Sequence, residues 1–320
     1  MIARVLVASI AALAASFAGA QDAASLRVMG FAGSSNWPLF VGVERGLYAR
    51  EGLAVEFSAA RDSTSQLASL ADGRIEIALT AFDNVVALGA GEIFAFCGIN
   101  GGARFSLMVA PGVRTYADLK RRALGVDATA NGYALVLLAM LKHGGLRQGD
   151  YRLVSVGSSR ERFAALRDGR VAGTLLNAPQ DAAAAAAGFA RLGDSGDVIG
   201  RYQGSVGAAR RSWAAANAGT LTGFIRATVA AMDWLYEPAN RGAAIEVLRR
   251  RIPGLTAEVA AQSYDELLHP TRGSLSRRAA LDAEGMRTVL ALRAEFAPGK
   301  PPAGVRLYYD ASYHERALSP

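Results

Sequence analysis

The stretch Leu67-Ala68-Ser69-Leu70-Ala71-Asp72-Gly73-Arg74-Ile75-Glu76-Ile77-Ala78-Leu79 joins a helical half, a turn and a β-like half. Leu67 and Leu70 share one helical face, and Ile75, Ile77 and Leu79 alternate as in a strand. Gly73 sits between them, where a left-handed residue ends a helix. The pattern returns 96 positions later as Phe163-Ala164-Ala165-Leu166-Arg167-Asp168-Gly169-Arg170-Val171-Ala172-Gly173-Thr174-Leu175. At the same offset, the loop Gly33-Ser34-Ser35-Asn36 maps onto Thr129-Ala130-Asn131-Gly132. Helix–Gly–strand is common enough to recur by chance. Two agreeing segments at one offset argue instead for two α/β halves of related construction.

Working outward, strands are expected at 26–31, 53–57 and 75–79, with helices at 38–50 and from Asp62 or Ser63 to Ala71. The second half repeats this grammar, with strands at 123–127, 152–156 and 173–176 and helices at 132–143 and 160–168. Strand–helix alternation at this spacing implies parallel βαβ units. Pro179 and the six successive Ala that follow Asp181 read as a short helix. From about residue 212 the pattern turns helical, at 218–236, 239–251, 256–268 and 282–296. Those helices are expected to cover the first half, because a small parallel sheet needs helices on both faces. Residues 297–320 read as an extended closing segment.

The chain has 320 residues, a formal charge of +7, three His and one Cys. Arg4, the apolar run Val5–Ala15 and the small residues Ala18 and Ala20 read as a secretory signal over residues 1–20. The run is too short to span a bilayer, and no later stretch is long and apolar enough. Cleavage after Ala20 would leave 300 residues with charge +6. Export disfavours nucleotide-dependent chemistry. One Cys excludes an internal disulfide framework, and scattered His143, His269 and His314 lack metal-motif spacing. Cys97, among apolar neighbours, reads as a core residue on a buried strand. The Arg pairs are dispersed, which suits solvated helix faces rather than nucleic acid.

Ligands of open α/β sheets sit at the carboxyl ends of the strands. Those ends carry Ser34, Ser35, Asn36 and Trp37, then Ser63 and Thr64, then Phe82, Asp83 and Asn84. The second half supplies Thr129, Asn131, Gly132 and Tyr133, the loop Gly157–Arg160, and Asn177. The set is rich in hydroxyls, amides and rings and holds no His, Cys or paired carboxylates, so no catalytic residue or metal ligand is assigned. Loops that precede helices offer free N–H groups suited to an anion, though each small polar residue could equally be a helix cap. Asp83 would repel an anion. It either accepts from a ligand N–H or O–H, or pairs with an Arg such as Arg61, Arg104 or Arg160.

These residues resemble the periplasmic substrate-binding proteins of ABC importers, in the sulfonate/nitrate/taurine and thiamine-precursor-like (NMT1/THI5-like) group. The resemblance is carried by Trp37–Glu56, by Gln66–Leu79, by Gly144-Gly145-Leu146, by Ala165–Ala172 and by Asn177-Ala178-Pro179. It implies a two-lobed α/β fold of the type II binding-protein kind, each lobe a mostly parallel sheet flanked by helices, with the C-terminal helices on lobe one. Lobe one would comprise 21–108 and 206–320 and lobe two 109–205. It further implies a monomer that closes on a small organic ligand at Ser34–Trp37, Ser63–Thr64, Phe82–Asn84, Thr129–Tyr133 and Asn177. The ligand would pass unchanged to a permease and its ATPase, with no cofactor. Asp83-Asn84 departs from the small-residue loop of sulfonate and nitrate binders, which favours a larger organic ligand, such as one with a ring against Trp37, Phe82 and Tyr133. The resemblance extends to pyrimidine synthases and menaquinone-pathway lyases, and a ligand-sensing subunit is a third reading. The signal and the lone Cys disfavour the enzymes.

Overall fold

A computed structural model describes residues 23–101, 105–270, 273–299 and 302–319. The expected signal segment lies outside the described residues. The strands are β1 (Ala24–Gly30), β2 (Leu53–Ala59), β3 (Ile77–Ala81), β4 (Ile93–Gly98), β5 (Ser106–Val109), β6 (Ala123–Val126), β7 (Arg152–Ser155), β8 (Gly173–Leu176), β9 (Ala190–Asp194) and β10 (Ser205–Arg210). They form two five-stranded sheets, ordered β2-β1-β3-β10-β4 and β7-β6-β8-β5-β9.

In the first sheet β1 runs parallel to β2 and β3, while β10 runs antiparallel to β3 and β4. In the second, β6 runs parallel to β7 and β8, while β5 runs antiparallel to β8 and β9. Each sheet therefore takes its one reversed strand from just after a crossing of the chain between sheets. Ser106–Val109 lies wholly in the second sheet and Ser205–Arg210 wholly in the first.

The offset of 96 holds through the backbone. Helix Ser63–Ala71 becomes Ser159–Arg167 with both ends in register, and β3 and β8 start in register. The caps repeat as well: Asp62 accepts from Ser65 N at 2.7 Å and Ser158 from Glu161 N at 3.4 Å.

Elsewhere the structure adjusts the expectations. The helix expected over 38–50 splits into Trp37–Glu44 and Leu47–Arg50, because Gly46 turns left-handed at φ 64°. The closing segment is not simply extended. Tyr309 bridges to Ala95 on β4, and a last helix runs Ser312–Leu318. Helix Ala218–Tyr236 does cover the first sheet, with Phe224, Ile225 and Met232 packed among Leu26, Val28, Ile77 and Leu79.

The two sheets do not have wholly separate cores. Leu70, Val85 and Val206 on the first side and Leu124, Leu137 and Leu141 on the second belong to one apolar cluster. Met286, Val289 and Leu292 of helix Ala283–Phe296 complete it. That shared core includes Leu107 and Val109 of β5 and Val206 and Ala208 of β10, the strands that follow the two crossings.

Candidate functional site

The carboxyl ends of β1, β3, β6 and β8 face one another across the gap between the lobes, and the space there forms two adjoining chambers. The first, of about 740 Å³ including its mouth, is lined by Ser34, Tyr133, Asn177, Asp181, Tyr202 and Glu266 among others. The second, of about 670 Å³, is lined by Asn84, Asp127, Gly132, Ser159 and Arg162 among others. Ser35, Ala81, Tyr133, Asn177 and Ser205 line both chambers, which makes them one cleft.

The lobes touch directly around this cleft. Ser34 Oγ donates to Ala178 O at 2.8 Å, and Ser63 Oγ donates to Asp127 Oδ2 at 3.4 Å. Asp83 also accepts from the Gly132 backbone N–H. A Cβ at Gly132 would lie 2.7 Å from Asp83 Cβ and 2.8 Å from Tyr202 Oη, so only glycine permits that approach.

The cleft's polar atoms are unevenly used. Asp127 accepts from Asn131 Nδ2 at 2.5 Å on the same oxygen that Ser63 reaches, and its Oδ1 has no partner. Arg162 donates from Nε to Leu175 O at 3.2 Å and from Nη1 to Gly157 O at 2.7 Å, and its Nη2 has no partner. Ser159 Oγ and Asn177 Oδ1 are likewise buried and unpaired. The guanidinium carbon of Arg162 stands 4.8 Å from the Tyr133 ring centroid, and Phe105 packs on the same ring at 4.6 Å.

Burial governs the electrostatics. It pushes the Asp127 carboxyl up against the pull of Arg162, and pulls Arg162 down against the opposing effect of Tyr133 and Asp127. Asp181 is pushed up to about 6, by burial first and by the facing Glu266 second. Cys97 lies outside the cleft on β4, where burial pushes its thiol up to about 12 and leaves it inert. Among the described residues, those that line the two chambers include no His, Cys or Lys.

The family described as NMT1/THI5 like matches residues 34–240. The chain belongs to the NMT1/THI5-like family. Its fold is the two-lobed binding-protein fold. The periplasmic nitrate-binding protein NrtA from Synechocystis PCC 6803 superposes with TM-score 0.76 at 13% identity, over 92% of this chain and 88% of that one. The alkanesulfonate-binding protein SsuA from Xanthomonas axonopodis pv. citri, bound to MOPS, gives 0.75 at 19%, over 90% and 98%. The aliphatic sulphonate binding protein SsuA from Escherichia coli gives 0.69 at 21%, over 89% and 91%. No curated protein matches the sequence.

Within this family fold, the residues expected from sequence divide sharply. Ser34, Ser35, Asn84, Asn131, Gly132, Tyr133 and Asn177 do line the cleft. Asn131 spends both ends of its amide on the protein, donating to Asp127 and accepting from Ala134 N at 3.2 Å as a helix cap. Asn84 donates to Thr80 Oγ1 at 2.9 Å, and Ser63 acts on the cleft only through Asp127. Thr64 and Thr129 are exposed and line neither chamber. Asn36 turns back to the Phe31 carbonyl.

Two aromatic expectations are corrected. Trp37 is fully buried on the far side of its helix, where Nε1 donates to Ala244 O at 2.9 Å and the ring meets Tyr264 edge-on. Pro38 opens that helix, and its first residue faces the C-terminal helices. Phe82 is fully buried in the shared core. Asp83 is not a ligand group either. Arg293 holds both its oxygens at 2.9 Å. Of the partners expected for Asp83, Arg61 pairs with Asp62, Arg160 lies on an outer groove, and Arg104 falls outside the described residues.

The sequence reading missed Asp127 and Arg162. Asp127 directly follows β6, where a carboxyl-end residue is expected to face a ligand. Arg162 occupies the core-facing side of its helix together with Ala165 and Leu166, and a charge at such a position is the signal that was available.

Proposed function

We propose that this protein is an extracytoplasmic solute-binding protein. It captures a small organic ligand between its two lobes and delivers it, chemically unchanged, to an ABC permease driven by its ATPase. In this reading residues 1–20 are a cleaved export signal, and the expected lobe boundaries at 108/109 and 205/206 move to before Ser106 and before Ser205, since β5 belongs to the second sheet and β10 to the first. The observation that carries the reading is the cleft, where buried polar atoms of both lobes line one space and several lack partners. Such atoms cost about 1–3 kcal/mol each when left unmet, and an occupant that meets them favours the closed form by its preference for that form. The binding-protein neighbours support the reading, and so does the absence, among the described residues, of a helix long and apolar enough to cross a membrane.

Native mass spectrometry of the protein taken from its own cells tests this directly. A small molecule should be released on denaturation, rebind, and stimulate the ATPase of the reconstituted transporter only together with this protein. Release of a chemically altered compound on rebinding would show turnover and overturn the reading.

A further inference from the structure

A further concavity lies outside the cleft. It is a groove of about 1620 Å³ including its open mouth, and it meets the second chamber only at Ala32 and Gly33. Both lobes wall it. Phe40, Phe57, Ile252 and Leu255 come from the first, and Phe163 and Pro179 from the second. A continuous apolar surface open to solvent and rimmed by polar groups marks an interaction site.

The rim carries one sign of charge. Arg160, Arg167 and Arg251 line the groove, and among the described residues no Asp or Glu does. Neighbouring acids do not cancel this charge. Arg251 pairs with Glu44 at 3.0 Å, but Arg250 holds the other oxygen of the same carboxylate. Arg167 pairs with Asp168 at 3.2 Å, and Arg170 approaches that carboxylate as well, at 3.9 Å. Arg160 is exposed and has no ion pair among the described residues. The guanidinium carbon of Arg251 stands 5.9 Å from the Phe40 ring centroid, so charge and apolar floor adjoin.

The internal repeat supplies a control. Arg160, Phe163 and Arg167 lie on helix Ser159–Arg167, and the equivalent positions of helix Ser63–Ala71 carry Thr64, Leu67 and Ala71. The same helix is therefore built without charge at these places. Arg160 even works against its helix, because a cation in the first turn faces the positive helix end. The two arginines are surplus to folding and aim the groove at an anionic partner.

We propose that this groove docks an acidic segment of a partner protein. Its carboxylates meet Arg160, Arg167 and Arg251, and its apolar side chains lie on Phe40, Phe57 and Phe163. A protein segment fits better than a membrane, since the apolar floor is recessed between two lobes where a flat bilayer cannot reach. A second copy of this chain fits poorly, because the chain is itself basic, with formal charge +7. Docking here does not depend on what the cleft binds.

The test uses the full protein and three short labelled peptides read by fluorescence anisotropy. One is Glu-rich and bears Leu and Phe, the second has Lys for every Glu, and the third has Ser for every Leu and Phe. The first should bind at least ~10-fold more tightly than either of the others, and added salt should weaken it. Arg160→Glu/Arg167→Glu should weaken it at least ~10-fold with the melting temperature unchanged. Arg147→Glu/Arg287→Glu, which makes the same charge change outside the groove, should bind as the wild type does. In cells, a photo-crosslinking side chain at Ala183 in the groove should join the protein to an Asp- and Glu-rich segment of another protein. That product should vanish in Arg160→Glu/Arg167→Glu. Equal binding of the Glu and Lys peptides, or an equal loss in the control variant, overturns the proposal. So does a crosslink to lipid, to a second copy of this chain or to a basic segment, or no crosslink at all. Each of these failures leaves the solute-binding function standing, because none of the substituted residues lines the two chambers.

Discussion

Removal of Arg293 isolates the buried ion pair beside the crossings. Asp83 is 1% exposed and holds Arg293 from the helix Ala283–Phe296 while accepting from Gly132 N–H. Burial still pushes its carboxyl above the usual range, with Arg293 as the chief opposing influence. Arg293→Gln takes that influence away and leaves a buried charge unpaired, a change that costs about 3–5 kcal/mol. The loss has a ceiling, because the carboxyl can take up a proton instead. Proton uptake from an unfolded value near 3.9 limits the electrostatic part to about 5.6 kcal/mol at pH 8 and about 1.5 kcal/mol at pH 5. The sign follows from linkage: an acid whose value rises on folding favours the fold while protonated, and that advantage is lost as pH climbs through the raised value. Without Arg293 the value climbs further and the window of loss extends upward. Urea unfolding followed by tryptophan fluorescence should thus show a loss of about 3–5 kcal/mol at pH 8 and below about 2 kcal/mol at pH 5. Adding Asp83→Asn should recover most of the loss at pH 8. An equal loss at both pH values, or no recovery in the double variant, would refute the reasoning.

Trp37→Ala should lower stability by about 3–5 kcal/mol, because the ring fills the core between its helix and Tyr264; an affinity loss with unchanged urea midpoint would place the ring back at the ligand. Ser34→Ala removes a hydrogen bond between the lobes worth about 1 kcal/mol, so ligand affinity should fall roughly fivefold, read by calorimetry. Unchanged affinity would mean that this bond does not distinguish closed from open. Cys97 should ignore thiol reagents at pH 8 until the protein unfolds, and rapid labelling of the native state would contradict its burial.

The fold was legible because the repeat was written in residues that the backbone itself requires. Gly73 and Gly169 both adopt positive φ, at 74° and 70°, to end equivalent helices. The apolar alternation beyond each then fixes which strand face is buried. The site was legible only where position along a strand decides exposure, as at Ser34 and Asn177. It failed at Trp37 and Phe82, since which way the first residue of a helix turns depends on packing partners far away in sequence. Trp37 answers to Ala244 and Tyr264. Asp83 answers to Arg293, a helix 210 residues downstream. Nothing local to either residue carries that information.

Comparison of the lobes with each other sharpens what the cleft is for. Equivalent positions read Ser35 and Asn131, Ala81 and Asn177, Phe31 and Asp127, Gln66 and Arg162. In these four pairs the second lobe carries the more polar or charged side chain, whereas Ser34 against Ala130 and Thr80 against Leu176 run the other way. Backbone requirements are shared between the halves, so they cannot explain the difference. The buried unpaired atoms of the cleft, on Asp127, Ser159, Arg162 and Asn177, sit on the second lobe. An open protein can then load its ligand on the second lobe alone. The first lobe adds Ser34, which bonds Ala178 rather than an open site, and Ser63, which bonds Asp127 from behind the free oxygen. Its part is to close over the second lobe's site and hold Asp127 in place.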